Sequence, residues 1–169
     1  MLDIFNDAIL NTTALYENDL RTLEFMKTWF AEKESSNHPI LGLTEKGEDG
    51  QDVLVGFATY GVFRVRPCYR FTVEHSIYVD RRYRGRGFGK MLLVEIINRA
   101  EQDNYHVVVG VVDSSNTTSI ALHEKCGFTL CGTIQHAGFK FDRWLDTCIL
   151  QRVLKTPPGM VSFCFGSMV

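Results

Sequence analysis

The stretch Arg84-Gly85-Arg86-Gly87-Phe88-Gly89-Lys90 sets three glycines at alternate positions between cations and runs directly into Met91-Leu92-Leu93-Val94-Glu95-Ile96-Ile97. Without Cβ atoms, such glycines let backbone N–H groups come close to a ligand, and a following helix points its unsatisfied donors and positive dipole end the same way. Together they read as an anion site suited to a diphosphate. A glycine-rich turn flanked by solvated Arg and Lys fits the stretch equally well, so its neighbours must decide.

Upstream, Tyr69 to Val79 alternates Phe71, Val73, His75, Ile77 and Val79 with Arg70, Thr72, Glu74, Ser76 and Tyr78, the period of a strand. Glu74 then shares a face with Ser76 and Tyr78, opposite the more apolar set. Downstream, Phe88, Leu92, Ile96 and Ala100 mark one face of a helix ending near Asp103-Asn104. Val107-Val108-Val109-Gly110-Val111-Val112 is the continuous apolar run of a buried, parallel strand. Strand, helix and strand make a crossover unit. Asp113-Ser114-Ser115-Asn116 turns the chain into a helix from about Thr117 to Cys126, capped by Gly127, and Phe128 to Gln135 and Trp144 to Leu154 read as the last strands.

Toward the N-terminus, Leu2, Phe5, Ala8 and Ile9 recur at helical spacing, so the chain begins inside a helix where an α/β domain more often begins with a strand. Thr22 caps a second helix with Leu23, Met26, Trp29 and Phe30 on one face. Ile40 to Thr44 and Val53 to Tyr60 read as an antiparallel hairpin through the polar Lys46-Gly47-Glu48-Asp49-Gly50, and the loop from Val62 to Cys68 presents Arg64 and Arg66. The expected architecture is α/β, one domain over residues 1–155 with a tail over 156–169.

Eighteen cations against twenty anions leave a net charge of -2, so the basic run from Arg81 to Arg86 is a local feature, and a general nucleic-acid binder, basic overall, is excluded. Five cysteines without a CxxC pair give no disulfide framework and fit reduced thiols in cytoplasm. No signal peptide stands at Met1, and no stretch approaches the roughly 20 apolar residues of a membrane span. The protein is expected to be cytoplasmic, with no membrane or nucleic-acid partner.

Register rules out two phosphate motifs. A Walker loop needs GxxxxGK[ST], but Arg84 stands at its first glycine and Met91 follows Lys90. The dinucleotide fingerprint GxGxxG, read from Gly85, puts Lys90 at the third glycine. What fits is Arg/Gln-x-x-Gly-x-Gly/Ala, here Arg84 to Gly89, between a strand and an amphipathic helix. It resembles the acetyl-CoA pyrophosphate loop of the GCN5-related N-acetyltransferases (GNAT). Asn116 to Phe128, an Asn, a helix, then Gly-Phe, is similar to that superfamily's second motif. A narrower resemblance, to the phosphinothricin and methionine sulfoximine acetyltransferases, rests on Asn6-Asp7-Ala8-Ile9, Tyr69 to Val79, Leu122-His123-Glu124 and Gly138 to Asp146. Two departures stand out: the first strand of that fold is missing, and Phe141 occupies a place where glycine is common.

The resemblance implies the GNAT fold, a mixed twisted sheet flanked by helices, and acetylation of the α-amino group of a small glutamate-like amino acid by direct transfer from acetyl-CoA, with no metal. It implies that backbone groups around Ile77, Tyr78 and Val79 hold the pantetheine. Gly85, Arg86, Gly87, Phe88, Gly89 and Lys90 would hold the diphosphate, Asn116 the pantetheine arm, and Lys125 a phosphate. Arg64, Val65, Arg66, Glu74, His75 and Ser76 would line the substrate. Phe139 and Trp144 would shape the pocket, within a homodimer.

An amine attacks a thioester only when unprotonated, and an α-amino group of pKa about 8 is mostly cationic at neutral pH, so a base is required. Glu74, on the central strand, is the candidate, acting directly or through a water. A thiolate of pKa about 8.5 leaves without full protonation, so an acid matters less. His123, seven residues after Asn116, stands where many acetyltransferases place a tyrosine, and it reads either as that acid or as a structural histidine. Competing readings are acetylation of a protein N-terminus or a polyamine, and a non-catalytic acyl-CoA sensor.

Overall fold

The computed structural model describes residues 1–155, and the tail expected over 156–169 lies outside them. The chain runs through α1 (Leu2–Asn11), α2 (Leu23–Ser35), β1 (Ile40–Lys46), β2 (Asp52–Val62), β3 (Thr72–Val79), α3 (Phe88–Gln102), β4 (Val107–Asp113), α4 (Thr117–Lys125), β5 (Thr129–Lys140) and β6 (Arg143–Val153). The strands form one mixed sheet in the order β1-β2-β3-β4-β6-β5. Only β3 and β4 among them pair in parallel, as the crossover through α3 requires. Within the described residues the sheet starts after two helices, and β1 is an edge strand.

Both faces of the sheet are covered, because alternate residues of β2 and β3 feed two clusters. Ala58, Tyr60 and Val73 pack with Leu92, Leu93, Ile96, Ile97 and Ala100 of α3. Phe57 and Tyr78 pack with Ile4, Phe5 and Ala8 of α1 and Met26 of α2. Side chains such as Leu93 and Ile96, with no exposed surface, each contribute about 1.5–3 kcal/mol by burial. The helix starts are capped as their sequences indicate: Thr22 Oγ1 accepts from Phe25 N–H at 3.1 Å and Asn116 Oδ1 from Ser119 N–H at 3.1 Å.

Three expectations need correction. Tyr69 is not in a strand: Pro67–Tyr69 form a 3-10 turn, where Pro67 supplies the fixed φ and withholds an N–H, and β3 begins at Thr72. The Tyr78 face of β3 is not an open polar face, since Tyr78 lies between Phe5 and Phe57, at 4.6 and 5.2 Å between ring centroids. The strand expected to stop at Gln135 runs to Lys140, because a register shift between Ile134 and Gly138 absorbs the polar interruption and lets β5 continue against β6. Its hairpin closes through Phe141 and Asp142, both at positive φ (52° and 56°), the geometry of a primed two-residue turn.

Candidate active site

Pairing between β3 and β4 covers only Thr72↔Val107, Val73↔Val108 and Glu74↔Val109, although both strands continue. Beyond Glu74 the two strands part. The backbone of Ser76 to Val79 therefore borders an opening in the middle of the sheet, where the backbone groups at Ile77, Tyr78 and Val79 were expected to serve.

Glu74 sits at the vertex. Burial raises the pKa of its carboxyl, and the Arg64 guanidinium opposes this without cancelling it. Arg64 lies over the Phe63 ring at 4.4 Å and donates to the Phe63 carbonyl at 2.8 Å, so its fork is held on the loop before β3. Val65 is 94% exposed and Arg66 is exposed too, their loop tightened by the Arg66 N–H bond to the Arg64 carbonyl at 2.8 Å. Ser76 is half-buried. His75 is separated from this group: it is buried and packs against His123 of α4, with 3.0 Å between their Nε2 atoms. His123 is 4% exposed, and its Nδ1 donates to the Ser119 carbonyl at 2.7 Å. Phe139 and Trp144 are not in the core: they meet edge to face at 5.1 Å on the exposed β5–β6 hairpin.

At the other end of the opening, Gly85 and Gly87 adopt positive φ (78° and 86°), and a Cβ built on either meets nothing within 4 Å. Glycine is required there by backbone conformation, and the space over the loop is free. Gly87 is the N-cap of α3, so a diphosphate placed over it would face the N–H groups of Phe88 and Gly89, while the Lys90 N–H already donates to the Gly87 carbonyl at 3.0 Å. The residues fit that ligand. The Arg86 side chain is already engaged: it forms a forked ion pair with Glu45 of β1 and lies over the Phe88 ring at 4.9 Å. Lys90 borders a groove of about 850 Å³ between Ile40–Leu43 of β1 and Met91, Val94 and Glu95 of α3. Lys125 ends α4, and the N-cap Asn116 stands at its start.

A second, open cavity of about 430 Å³ lies beside Asn116 and Ser115 and is lined by Asn11 to Ala14, Phe141 and Arg143. Sequence reasoning missed most of this wall. It exists because the connection between α1 and α2 is tied to the last hairpin. Tyr16 Oη donates to Asp113 at 3.0 Å, and its ring lies where a Cβ on Gly138 would be 2.5 Å away. Lys140, almost wholly buried, donates to the Thr12 and Leu15 carbonyls at 2.9 and 2.7 Å. Glu74 lines neither cavity. Among the described residues no group of three His, Cys, Asp or Glu is placed to hold a metal ion, and no helix is long and apolar enough to cross a membrane.

The family model described as the acetyltransferase (GNAT) family matches residues 3–128. The L-methionine sulfoximine/L-methionine sulfone acetyltransferase of Pseudomonas aeruginosa is 38% identical over 151 residues, covering 89% of this chain and 86% of that protein. A proposed acetyltransferase from Acinetobacter baylyi has a TM-score of 0.85 at 51% identity, over 92% of this chain and 86% of that one. The phosphinothricin acetyltransferase of Sinorhizobium meliloti, solved with acetyl-CoA, has a TM-score of 0.83 at 34% identity, over 95% of this chain and 88% of that one. A parted β3–β4 pair, a left-handed glycine loop on a helix start and a family match over most of the chain agree: this protein belongs to the acetyltransferase (GNAT) family and is an N-acetyltransferase.

Proposed function

We propose that the protein acetylates the α-amino group of a small glutamate-like amino acid, of the kind represented by methionine sulfoximine, methionine sulfone and phosphinothricin, by direct transfer from acetyl-CoA. The observation that carries this reading is Glu74, a carboxyl with raised proton affinity, faced by Arg64, at the point where β3 and β4 part. Related proteins named for these substrates add support.

Glu74 takes a proton from the substrate ammonium, directly or through one water. Arg64 engages the α-carboxylate, where a planar guanidinium gives both charge and orientation. The freed amine attacks the thioester carbonyl carbon; the C–N bond forms, the C–S bond breaks, and the nitrogen loses its second proton as the amide forms. The leaving thiolate takes up that proton through solvent, while Glu74 returns its own proton to water. Backbone N–H groups bordering the opening at Ile77 to Val79 polarise the carbonyl. The loop from Gly85 to Lys90 holds the diphosphate of CoA, with Asn116 toward its pantetheine arm and Lys125 toward a phosphate.

The test is thiol release from acetyl-CoA with phosphinothricin, methionine sulfoximine and methionine sulfone, beside spermidine and a peptide with a free N-terminus, for wild type and Glu74→Gln. Stimulation by the amino acid analogues, lost in the variant, is expected. Stimulation by spermidine or the peptide alone would assign another acceptor class. CoA binding with no amine-stimulated release would make the protein a sensor.

A further inference from the structure

Immediately past the last pair of β3 and β4, the next residues on the two strands are His75 and Gly110. A Cβ on Gly110 would lie 2.9 Å from Cδ2 and Nε2 of His123 and 3.0 Å from Nε2 of His75, so only glycine leaves the space the two imidazoles occupy. The rings lie end to end with their planes 25° apart and centroids 5.0 Å apart, and Phe128 meets both edge-on at 5.6 and 5.0 Å.

The direction of their hydrogen bond follows from the partners. A carbonyl only accepts, so His123 Nδ1, 2.7 Å from the Ser119 carbonyl, carries a hydrogen. In a neutral ring its Nε2 is then bare and accepts from His75 Nε2–H, 3.0 Å away. His75 Nδ1 is left as a bare acceptor, buried and without a protein partner. Burial pushes both imidazoles below their ordinary pKa, His75 to about 3 with repulsion from His123 added, so the pair stays neutral. Both nitrogens of His123 are engaged, and donating a proton to a leaving thiolate would require the pair to break.

We propose that Gly110, His75 and His123 act as one positioning unit for the acetyl group of the donor: the hydrogen-bonded rings close the base of the β3–β4 opening and set how far the thioester enters, without transferring a proton. The unit rests on the acetyl-CoA reading above. It adds Gly110 to the functional residues and gives His75 a place on the donor side of the sheet rather than in the amino acid pocket.

The wild-type protein carrying 15N-labelled histidine tests this by NMR, with CoA and acetyl-CoA as probes and binding followed in parallel by calorimetry. The expected result is a neutral Nδ1–H ring for His123 and a neutral Nε2–H ring for His75 from roughly pH 5 to 8. Both rings should shift on adding acetyl-CoA and shift much less with CoA, which lacks the acetyl group. In kinetics, Gly110→Ala, His75→Phe and His123→Phe should each raise the acetyl-CoA KM about tenfold. The double variant should be no worse than the poorer single one, as for groups acting as a unit, and the pH profile of kcat should keep its wild-type shape. Rings that ignore acetyl-CoA while CoA binding is measurable would overturn the unit and leave the acetyl-CoA reading standing. A change in the shape of the kcat pH profile at high pH in His123→Phe would replace positioning by acid catalysis. No CoA binding at all would overturn both.

Discussion

Glu74 and Val109 are the last residues at which the parallel strands β3 and β4 pair, so the carboxyl that feels Arg64 stands where the sheet opens. Its proton affinity is raised by burial more than Arg64 lowers it. The base is ionised only above that raised pKa, and kcat/KM should climb through it as pH increases. Arg64→Ala, which removes the opposing cation, should move that limb to higher pH. Stability has the opposite slope: a carboxyl whose folded pKa lies above its unfolded value of about 4.3 favours the folded state while protonated and loses that contribution as pH rises through the window between them. Glu74→Gln should therefore lower kcat by about 10²–10⁴-fold without lowering Tm at neutral pH, which pH-resolved kinetics and thermal melts will check.

Asn116 has two separable duties. Its side chain caps α4 through the Ser119 N–H, and under the proposed function it also bonds the pantetheine arm. Asn116→Ala should cost about 1 kcal/mol of stability and raise the acetyl-CoA KM. Asn116→Ser should recover the melting temperature, because serine caps as well, while leaving KM high. A variant pair in which KM recovers with Tm would reduce the residue to a cap.

Tyr60 and Arg99 hold Asp103 from two sides. Tyr60 Oη donates to the carboxylate, and Arg99 Nε donates to it at 2.8 Å. Burial pushes the Asp103 carboxyl up, but these bonds outweigh it and hold the pKa below the ordinary carboxylate value. Tyr60→Phe keeps the ring in the core and deletes one bond to a charged acceptor, a loss of about 1.5–3 kcal/mol by denaturant titration. The folded pKa is depressed, so this contribution is present above the unfolded pKa of about 3.9 and fades as pH falls through the folded value. The gap between wild type and variant should narrow below about pH 4.

Phe141 occupies a left-handed turn position at φ 52° that a glycine would fill without strain, and its ring borders the cavity beside Asn116. Phe141→Gly should stabilise the fold by about 1 kcal/mol, a rise in Tm of roughly 2–4 °C. If the ring shapes the acceptor site, the same change should raise KM for the amino acid analogue while leaving that for acetyl-CoA alone.

Local chemistry was legible in the sequence, and distant pairing was not. Thr22, Asn116 and the glycines at 85 and 87 announce caps and a ligand loop because the responsible atoms lie within a few residues of one another. The alternation of β3 gave its direction, but not that Tyr78 would be covered by Phe5, since a covering helix leaves no mark on the strand beneath it. His75 entered the substrate group only through the family resemblance, although strand geometry turns it to the face opposite Glu74. Its partner lies 48 positions away. Gly110 passed as one member of a continuous apolar run, and the two imidazoles that a Cβ there would meet give its presence a reason.

The ties from Tyr16 to Asp113 and from Lys140 to the Thr12 carbonyl span 97 and 128 positions. During synthesis the ribosome delivers the connection between α1 and α2 early, yet Asp113, which fixes one part of it, emerges with β4 and Lys140, which fixes another, only with the final hairpin. This wall of the cavity therefore sets late, once Lys140 has left the exit tunnel, and a nascent chain stalled before Lys140 can carry a formed α1 without a formed cavity.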